Sequence, residues 1–222
     1  SKILYKDIEK YVSFSNVSIC PNGIKDVEYN YKTKKNNENH PQLLFLSNLI
    51  EDKGVFILLE ACKILKDNDI DFQCVYVGAE GDISSNVFQQ KVDRLNLIDK
   101  ISYKGPLYNQ DKYKIYSQSD VFIFPTFYKM ETFGLVILEA MQHSLPVIAT
   151  NEGGIPDLVE NKSNGFLVPK KNSKELASKI EILINNQDLR KKMGEKSREK
   201  YKKEFTLDKF EKRLCEILNN LI

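Results

Sequence analysis

Short, almost continuously apolar runs alternate with amphipathic stretches between residues 43 and 168, and this alternation restricts the possible folds more than any other feature of the chain. Strand-like runs cover residues 43–47, 72–77, 101–104, 121–124, 146–150 and 165–168, and several are punctuated by Gly78, Gly105-Pro106 or Pro125. Between them, residues 55–65, 87–97, 113–119 and 135–142 repeat their apolar positions with helical spacing. Strands separated by helices of that length imply parallel βαβ units. Strands without polar alternation imply a sheet covered on both faces. The right-handed crossover rule then predicts an α/β fold, a doubly wound, Rossmann-like parallel sheet of about six strands, followed by C-terminal helices.

Beyond Pro169 the pattern is helical, with predicted helices from Ser173 (capped there or at Asn172) to 184, over 188–203, and over 207–218. Residues 1–20 show no clear period, and residues 32–41, polar and closed by Pro41, read as a surface loop. The expected divisions are 1–20 as a tail or linker, 21–204 as the Rossmann-like unit and 205–222 as a terminal helix.

The balance of 33 Lys and Arg against 31 Asp and Glu leaves a net charge of +2, which gives no reason to expect a nucleic-acid partner. One locally basic stretch, residues 191–203, reads as a solvated helix face or as a patch drawn to an anionic membrane surface. Cys20, Cys62, Cys74 and Cys215 are dispersed, and are expected as buried free thiols of a reducing compartment. His40 and His143 stand at no metal-ligand spacing from any cysteine. With no signal peptide and no membrane-spanning run, the expected location is the cytoplasm, with peripheral contact at the inner membrane face as the alternative.

In a doubly wound sheet, ligands bind outside the carboxyl ends of the strands. The turns Phe133-Gly134-Leu135 and Gly153-Gly154-Ile155 each open a helix, so free amides and the helix dipole make both candidate phosphate sites. Lys53, on the loop after the first strand, could reach the same region. Glu131 precedes the helix that Gly134 opens, and Glu139 lies five residues into it, roughly 7–8 Å along at ~1.5 Å per residue. Carboxylates accept paired hydrogen bonds from vicinal hydroxyls. Two of them flanking a phosphate turn describe a sugar nucleotide, with one acid for a ribose and one for a second sugar. On spacing alone, a solvated Glu139 and a helix-start charge at Glu131 stay open.

Five ordered elements carry a resemblance that closes this choice. They are Pro21-Asn-Gly-Ile24, Leu44-Phe-Leu-Ser-Asn-Leu49 with Lys53-Gly54, Ser119-Asp-Val-Phe-Ile-Phe-Pro125, Pro146-Val-Ile-Ala-Thr-Asn-Glu-Gly-Gly-Ile-Pro156, and Asn164-Gly-Phe-Leu-Val168. Together with Glu131-Thr-Phe-Gly-Leu-Val-Ile-Leu-Glu139, an E-x7-E pattern, they resemble the C-terminal, donor-binding domain of retaining GT-B glycosyltransferases, nearest family GT4, the glycosyl transferases group 1. The resemblance implies that Glu131 holds hydroxyls of the transferred sugar and Glu139 the ribose diol. It implies that the amides of Phe133, Gly134 and Leu135 meet diphosphate and sugar, that Lys53 neutralises the leaving diphosphate, and that Gly105, Pro106 and Leu107 read the base edge. Neither a cofactor nor a metal is implied. The nucleotide sugar (a UDP- or GDP-sugar) is a substrate, the acceptor a saccharide or lipid-linked sugar, and the partner an N-terminal domain absent from these residues. Without that domain, slow transfer or none is expected.

One departure stands at Asn48, where the family usually has Arg beside Lys53; a neutral amide cannot replace a guanidinium, so weaker donor binding or a less efficient leaving group is expected, unless Lys129 substitutes. A non-catalytic nucleotide-sugar binding module and a GT-B-fold sugar-nucleotide epimerase are the alternatives. No G-x4-G-K-[ST] pattern supports a P-loop enzyme.

Overall fold

The computed structural model describes residues 3–27 and 40–220. Six parallel strands form one sheet, β1 Gln42–Leu46, β2 Gln73–Val77, β3 Ile101–Tyr103, β4 Val121–Phe124, β5 Val147–Thr150 and β6 Gly165–Val168, in the spatial order β3-β2-β1-β4-β5-β6. The helices are α1 Val55–Asp67, α2 Ser85–Arg94, α3 Asn109–Gln118, α4 Leu135–Gln142, α5 Ile155–Leu158, α6 Ser173–Ile184, α7 Gln187–Glu204 and α8 Leu207–Asn219.

Alternate strand residues point to opposite faces, and both faces are covered. Leu43 and Phe45 of β1 join α1, α2 and α6 in one apolar layer, while Leu44 and Leu46 join α3, α4 and α5 in the other. This two-sided burial explains the nearly unbroken apolar strand sequences. Local chemistry sets the helix starts: Ser84, Asn172, Asn186 and Thr206 each accept a backbone N–H of the first turn through the side chain.

The predicted strands and long helices are present, with shifted ends. Helix α3 begins at Asn109, four residues before the apolar pattern signals it, because its first turn (Asn-Gln-Asp-Lys) is polar. Helix α5 starts at Ile155, where the Gly153-Gly154 turn was expected to open a helix, but it is a single turn, too short to show a period of its own. Residues 32–39 of the anticipated surface loop lie outside the described residues. Only Cys62 and Cys74 are the buried free thiols expected; Cys20 is half-buried and Cys215 exposed. Among the described residues no helix is long and apolar enough to cross a membrane.

Residues 21–26 are clasped by the C-terminal helices. The Ile24 N–H donates to the Phe205 carbonyl at 3.0 Å, and the Leu207 N–H returns to the Ile24 carbonyl at 2.8 Å. Arg213 donates to the Pro21 carbonyl, and Arg198 grips both oxygens of Asp26 at 2.7 and 2.9 Å. The buried Gln142 amide, at the end of α4, donates to the Lys25 carbonyl at 2.7 Å. Burial pushes the Asp26 carboxyl up, but the Arg198 hydrogen bonds and charge, with help from Gln142 and Lys202, outweigh it and hold the group below the ordinary aspartate value. A depressed folded-state pKa stabilises the fold above the unfolded value of about 3.9, and that stability is lost as pH falls through the folded value. Asp26→Asn is therefore expected to cost about 1–2 kcal/mol at pH 7 and much less below pH 3. Thermal melts of both proteins at the two pH values check this, and an equal deficit at both would remove the charge from the explanation.

Candidate functional site

The strand order reverses between β1 and β4: from β1 the chain runs outward through β2 and β3, and from β4 outward through β5 and β6. At such a point the loops leaving adjacent strands diverge and open a crevice. The loops in question are residues 47–54 and 125–134, the two that carry Lys53 and Glu131. They are stitched together by the Phe127 N–H to the Asp52 carbonyl at 2.7 Å and the Thr126 hydroxyl to the same carbonyl at 3.3 Å. Lys53 Nζ meets Glu131 Oε2 at 2.7 Å, with side chains only 15% and 10% exposed. Two residues 78 apart in sequence thus form a compact ion pair at the mouth of the crevice.

Beside the pair lies a cleft of about 370 Å³, lined by Asn48, Lys53, Pro106, Leu107, Tyr108 and Lys112 among others. That volume suits a small-molecule ligand. The shoulder formed by Gly105, Pro106 and Leu107 is fixed where the Gly105 carbonyl accepts the Gly78 N–H at 3.0 Å. On the other side, Gly134 takes a left-handed conformation (φ 80°) and opens α4. Its carbonyl accepts the Ile137 N–H at 2.8 Å, which leaves the Leu135 and Val136 amides as the orphan donors of the first turn. Leu135 is exposed, whereas Phe133 is buried edge-on against Phe205 and anchors the turn from beneath.

Glu139 projects from the second turn of α4, and both its oxygens are engaged. Lys112 Nζ reaches Oε1 at 2.6 Å and the Tyr116 hydroxyl reaches Oε2 at 2.9 Å. Tyr116 is fully buried. Burial, and then the Glu139 carboxylate, hold its phenol protonated well above the ordinary tyrosine range, so the hydroxyl is a fixed donor that orients Glu139. A carboxylate offers about four acceptor positions, so two remain for a ligand.

The Gly153-Gly154 turn has a different task from the one expected of it. The Gly154 N–H donates to the Thr132 carbonyl at 2.9 Å, and the helix that follows is a single turn. Gly153 (φ 50°) lies so close to residue 131 that an added Cβ would sit 1.9 Å from the Glu131 carbonyl oxygen. The turn packs behind the Glu131 loop, and the Gly154 and Ile155 amides are engaged within the chain. Lys129, the anticipated substitute for the cation missing at Asn48, is exposed on its turn and does not line the cleft. Lys112 does line it. Sequence reading missed Lys112, Tyr116 and Tyr108, all on or just before α3. The available signal was the i, i+4 spacing of Lys112 and Tyr116, which puts both on one face of a helix. Among the described residues no three His, Cys, Asp or Glu side chains cluster as metal ligands would.

Known proteins resemble this chain in sequence and in fold. The chain is 30% identical over 197 residues to the capsular polysaccharide biosynthesis glycosyltransferase CapM of Staphylococcus aureus, covering 83% of this chain and 49% of that protein. It is 33% identical over 170 residues to an uncharacterised glycosyltransferase of Methanocaldococcus jannaschii, covering 75% and 44%. The chain thus spans about half the length of these curated relatives. Among solved structures, a glycosyltransferase of Rickettsia africae superposes with a TM-score of 0.86 at 27% identity, over 98% of this chain and 61% of that one. Anabaena HepE, solved with UDP and glucose, superposes with a TM-score of 0.74 at 25% identity, over 82% and 49%. The profile of the glycosyl transferases group 1 matches residues 27–200, well over half of the sequence. With that match and the six-stranded parallel sheet, the chain belongs to the glycosyl transferases group 1, a family of GT-B type.

Proposed function

We propose that this chain is the donor-binding half of a retaining, GT4-type glycosyltransferase that moves a hexosyl group from a UDP- or GDP-sugar to a saccharide or lipid-linked acceptor held by a second domain. The observation that carries the proposal is the Lys53–Glu131 pair at the crevice, with the orphan amides of α4 beside it and Glu139 on the same helix. The base lies against the shoulder of Gly105, Pro106 and Leu107. The ribose diol donates to the two unfilled acceptor positions of Glu139. The diphosphate faces the amides of the Gly134 turn, where the helix dipole favours negative charge, and Glu131 accepts hydroxyls of the transferred sugar.

Charge develops on the diphosphate as the glycosidic bond breaks, so pre-placed donors and a cation there lower the barrier. Lys53 supplies the cation, and Lys112, at the cleft wall, offsets the charge that Asn48 lacks. The ligands of the HepE structure, UDP and glucose, support a nucleotide sugar as substrate class.

Calorimetric titration with UDP, GDP and ADP tests the reading. One of the three is expected to bind with a micromolar to low-millimolar Kd, weakened about 10- to 100-fold by Glu139→Ala, the value of one or two charge-assisted hydrogen bonds. Absence of binding by all three, with or without the acceptor domain, would overturn it.

A further inference from the structure

Lys53 is a long, flexible side chain, and its single ion pair leaves most directions open to it. The turn that carries Glu131 closes one of them. The Glu131 N–H donates to the Tyr128 carbonyl at 2.9 Å, so residues 128–131 form a tight turn with Lys129 and Met130 exposed at its apex. The Tyr128 N–H donates to the Thr126 hydroxyl at 3.2 Å, which itself donates to the Asp52 carbonyl next to Lys53. The Tyr128 backbone is thereby bracketed between the two loops. Its ring lies over the ammonium, with Lys53 Nζ 4.3 Å from the ring centroid, and the Phe124 ring stands at 5.7 Å. One turn thus presents a carboxylate and an aromatic face to the same cation, a geometry within the range of cation–π attraction.

We infer that Tyr128 is a positioning residue for Lys53, its ring face holding the ammonium at the junction of sugar and diphosphate when substrate hydroxyls compete for Glu131. The inference rests on the donor-site reading above and deepens it. In the empty site Glu131 and the Tyr128 ring hold Lys53 together. Once Glu131 shares its lone pairs with sugar hydroxyls, the ammonium keeps its place only if something else restrains it. The diphosphate attracts the cation but does not fix its height above the sugar, whereas the ring does. No hydrogen bond of the Tyr128 hydroxyl is required, so the ring and not the phenol is the active feature.

The test has one arm that needs no ligand. Lysine acetylation kinetics, read residue by residue by mass spectrometry, are measured on the protein and on Tyr128→Phe and Tyr128→Leu. Tyr128→Leu is expected to raise the Lys53 rate about 3- to 30-fold, the range that cation–π energies span, with Tyr128→Phe close to the parent. An unchanged rate in the leucine variant, or an equal rise in the phenylalanine variant, overturns the inference. If Tyr128→Leu raises the rate at every lysine, it has unfolded. Pentafluorophenylalanine in place of Tyr128, which keeps the shape and removes the negative ring face, then decides by the same criterion.

In the second arm, Tyr128→Leu is expected to weaken binding of the preferred nucleoside diphosphate by a similar factor with Lys53 present and to have no effect in a Lys53→Met background. Equal weakening in both backgrounds overturns the inference, since Tyr128 would then act without Lys53. If the parent binds no nucleotide, the donor-site reading fails, and the acetylation arm still decides whether Tyr128 holds Lys53.

Discussion

On the proposed scheme, Glu131→Gln is expected to lower kcat/KM for sugar transfer, measured with an acceptor domain present, about 10²- to 10⁴-fold while changing the affinity for the nucleoside diphosphate alone by less than tenfold. The substitution keeps the shape of the side chain and removes its charge. Two consequences follow from the geometry. The amide no longer neutralises Lys53, which stands at 2.7 Å and is 15% exposed, so the cation is left partly buried and drifts toward other acceptors. In the proposed scheme the sugar hydroxyls also lose a charged acceptor for a neutral one, at the point where orientation of the reacting carbon is set. Removing one pre-organised electrostatic group of this kind typically costs about 10²–10³ in rate, and the displaced lysine extends the range upward. Glu139 lies on the opposite side of the Gly134 turn, so in the same scheme its removal strikes the nucleotide itself. The paired measurement is a titration with UDP (or GDP, whichever binds) and a rate with the corresponding nucleotide sugar. If Glu131→Gln weakens the bare nucleotide as strongly as Glu139→Ala does, the division of labour between the two carboxylates is wrong.

The legibility of this site in the sequence followed the physics of each residue. Lys53, Glu131, Gly134 and Glu139 stand in the loops that leave strands or in the first turns of a helix, and in a doubly wound sheet those are the positions that face a ligand. The six strands were legible because burial on both faces demands uninterrupted apolar runs. What escaped were features made by chain segments meeting in space. Lys112 and Tyr116 lie on a helix whose polar first turn hid its true start, and nothing local links them to Glu139, 27 and 23 residues away. Gly153 read as a phosphate turn because a glycine pair before a helix is the usual form of one. That its backbone leans on residue 131 is a tertiary contact with no sequence period. Tyr128 carried no signal, since an aromatic in a loop is consistent with many roles, and only the 4.3 Å approach to Lys53 singles it out.

Gly153→Ala offers the sharpest test of how the site is supported, because it alters a residue that touches no ligand in the proposed scheme. A Cβ at this position would lie 1.9 Å from the Glu131 carbonyl oxygen and 2.8 Å from its carbonyl carbon, and the backbone there has φ 50°. Both contacts are with main chain, so no side-chain rotation relieves them and the loop carrying Glu131 must retreat by an ångström or more. That movement pulls Glu131 from Lys53 and breaks the Gly154 N–H to Thr132 carbonyl bond at 2.9 Å. The expected cost is about 2–4 kcal/mol in stability, a fall in Tm of roughly 5–15 °C for a chain of this size. A loss of kcat/KM comparable to that of Glu131→Gln is expected with it. Gly105→Ala is the matched control for stability alone, because Gly105 belongs to the shoulder proposed to hold the base. That residue also has positive φ, 66°, but an added Cβ meets nothing within 4 Å, so only backbone strain of about 1–2 kcal/mol applies. The Glu131 loop stays in place in that variant. Thermal melts on the two variants separate left-handed strain, which they share, from displacement of residue 131, which only Gly153→Ala causes. Equal stability in the two would show that the Gly153-Gly154 turn does not hold the Glu131 loop. A larger loss of activity in Gly153→Ala, beyond what its fall in stability explains, would make the Gly153-Gly154 turn a determinant of where Glu131 meets the sugar.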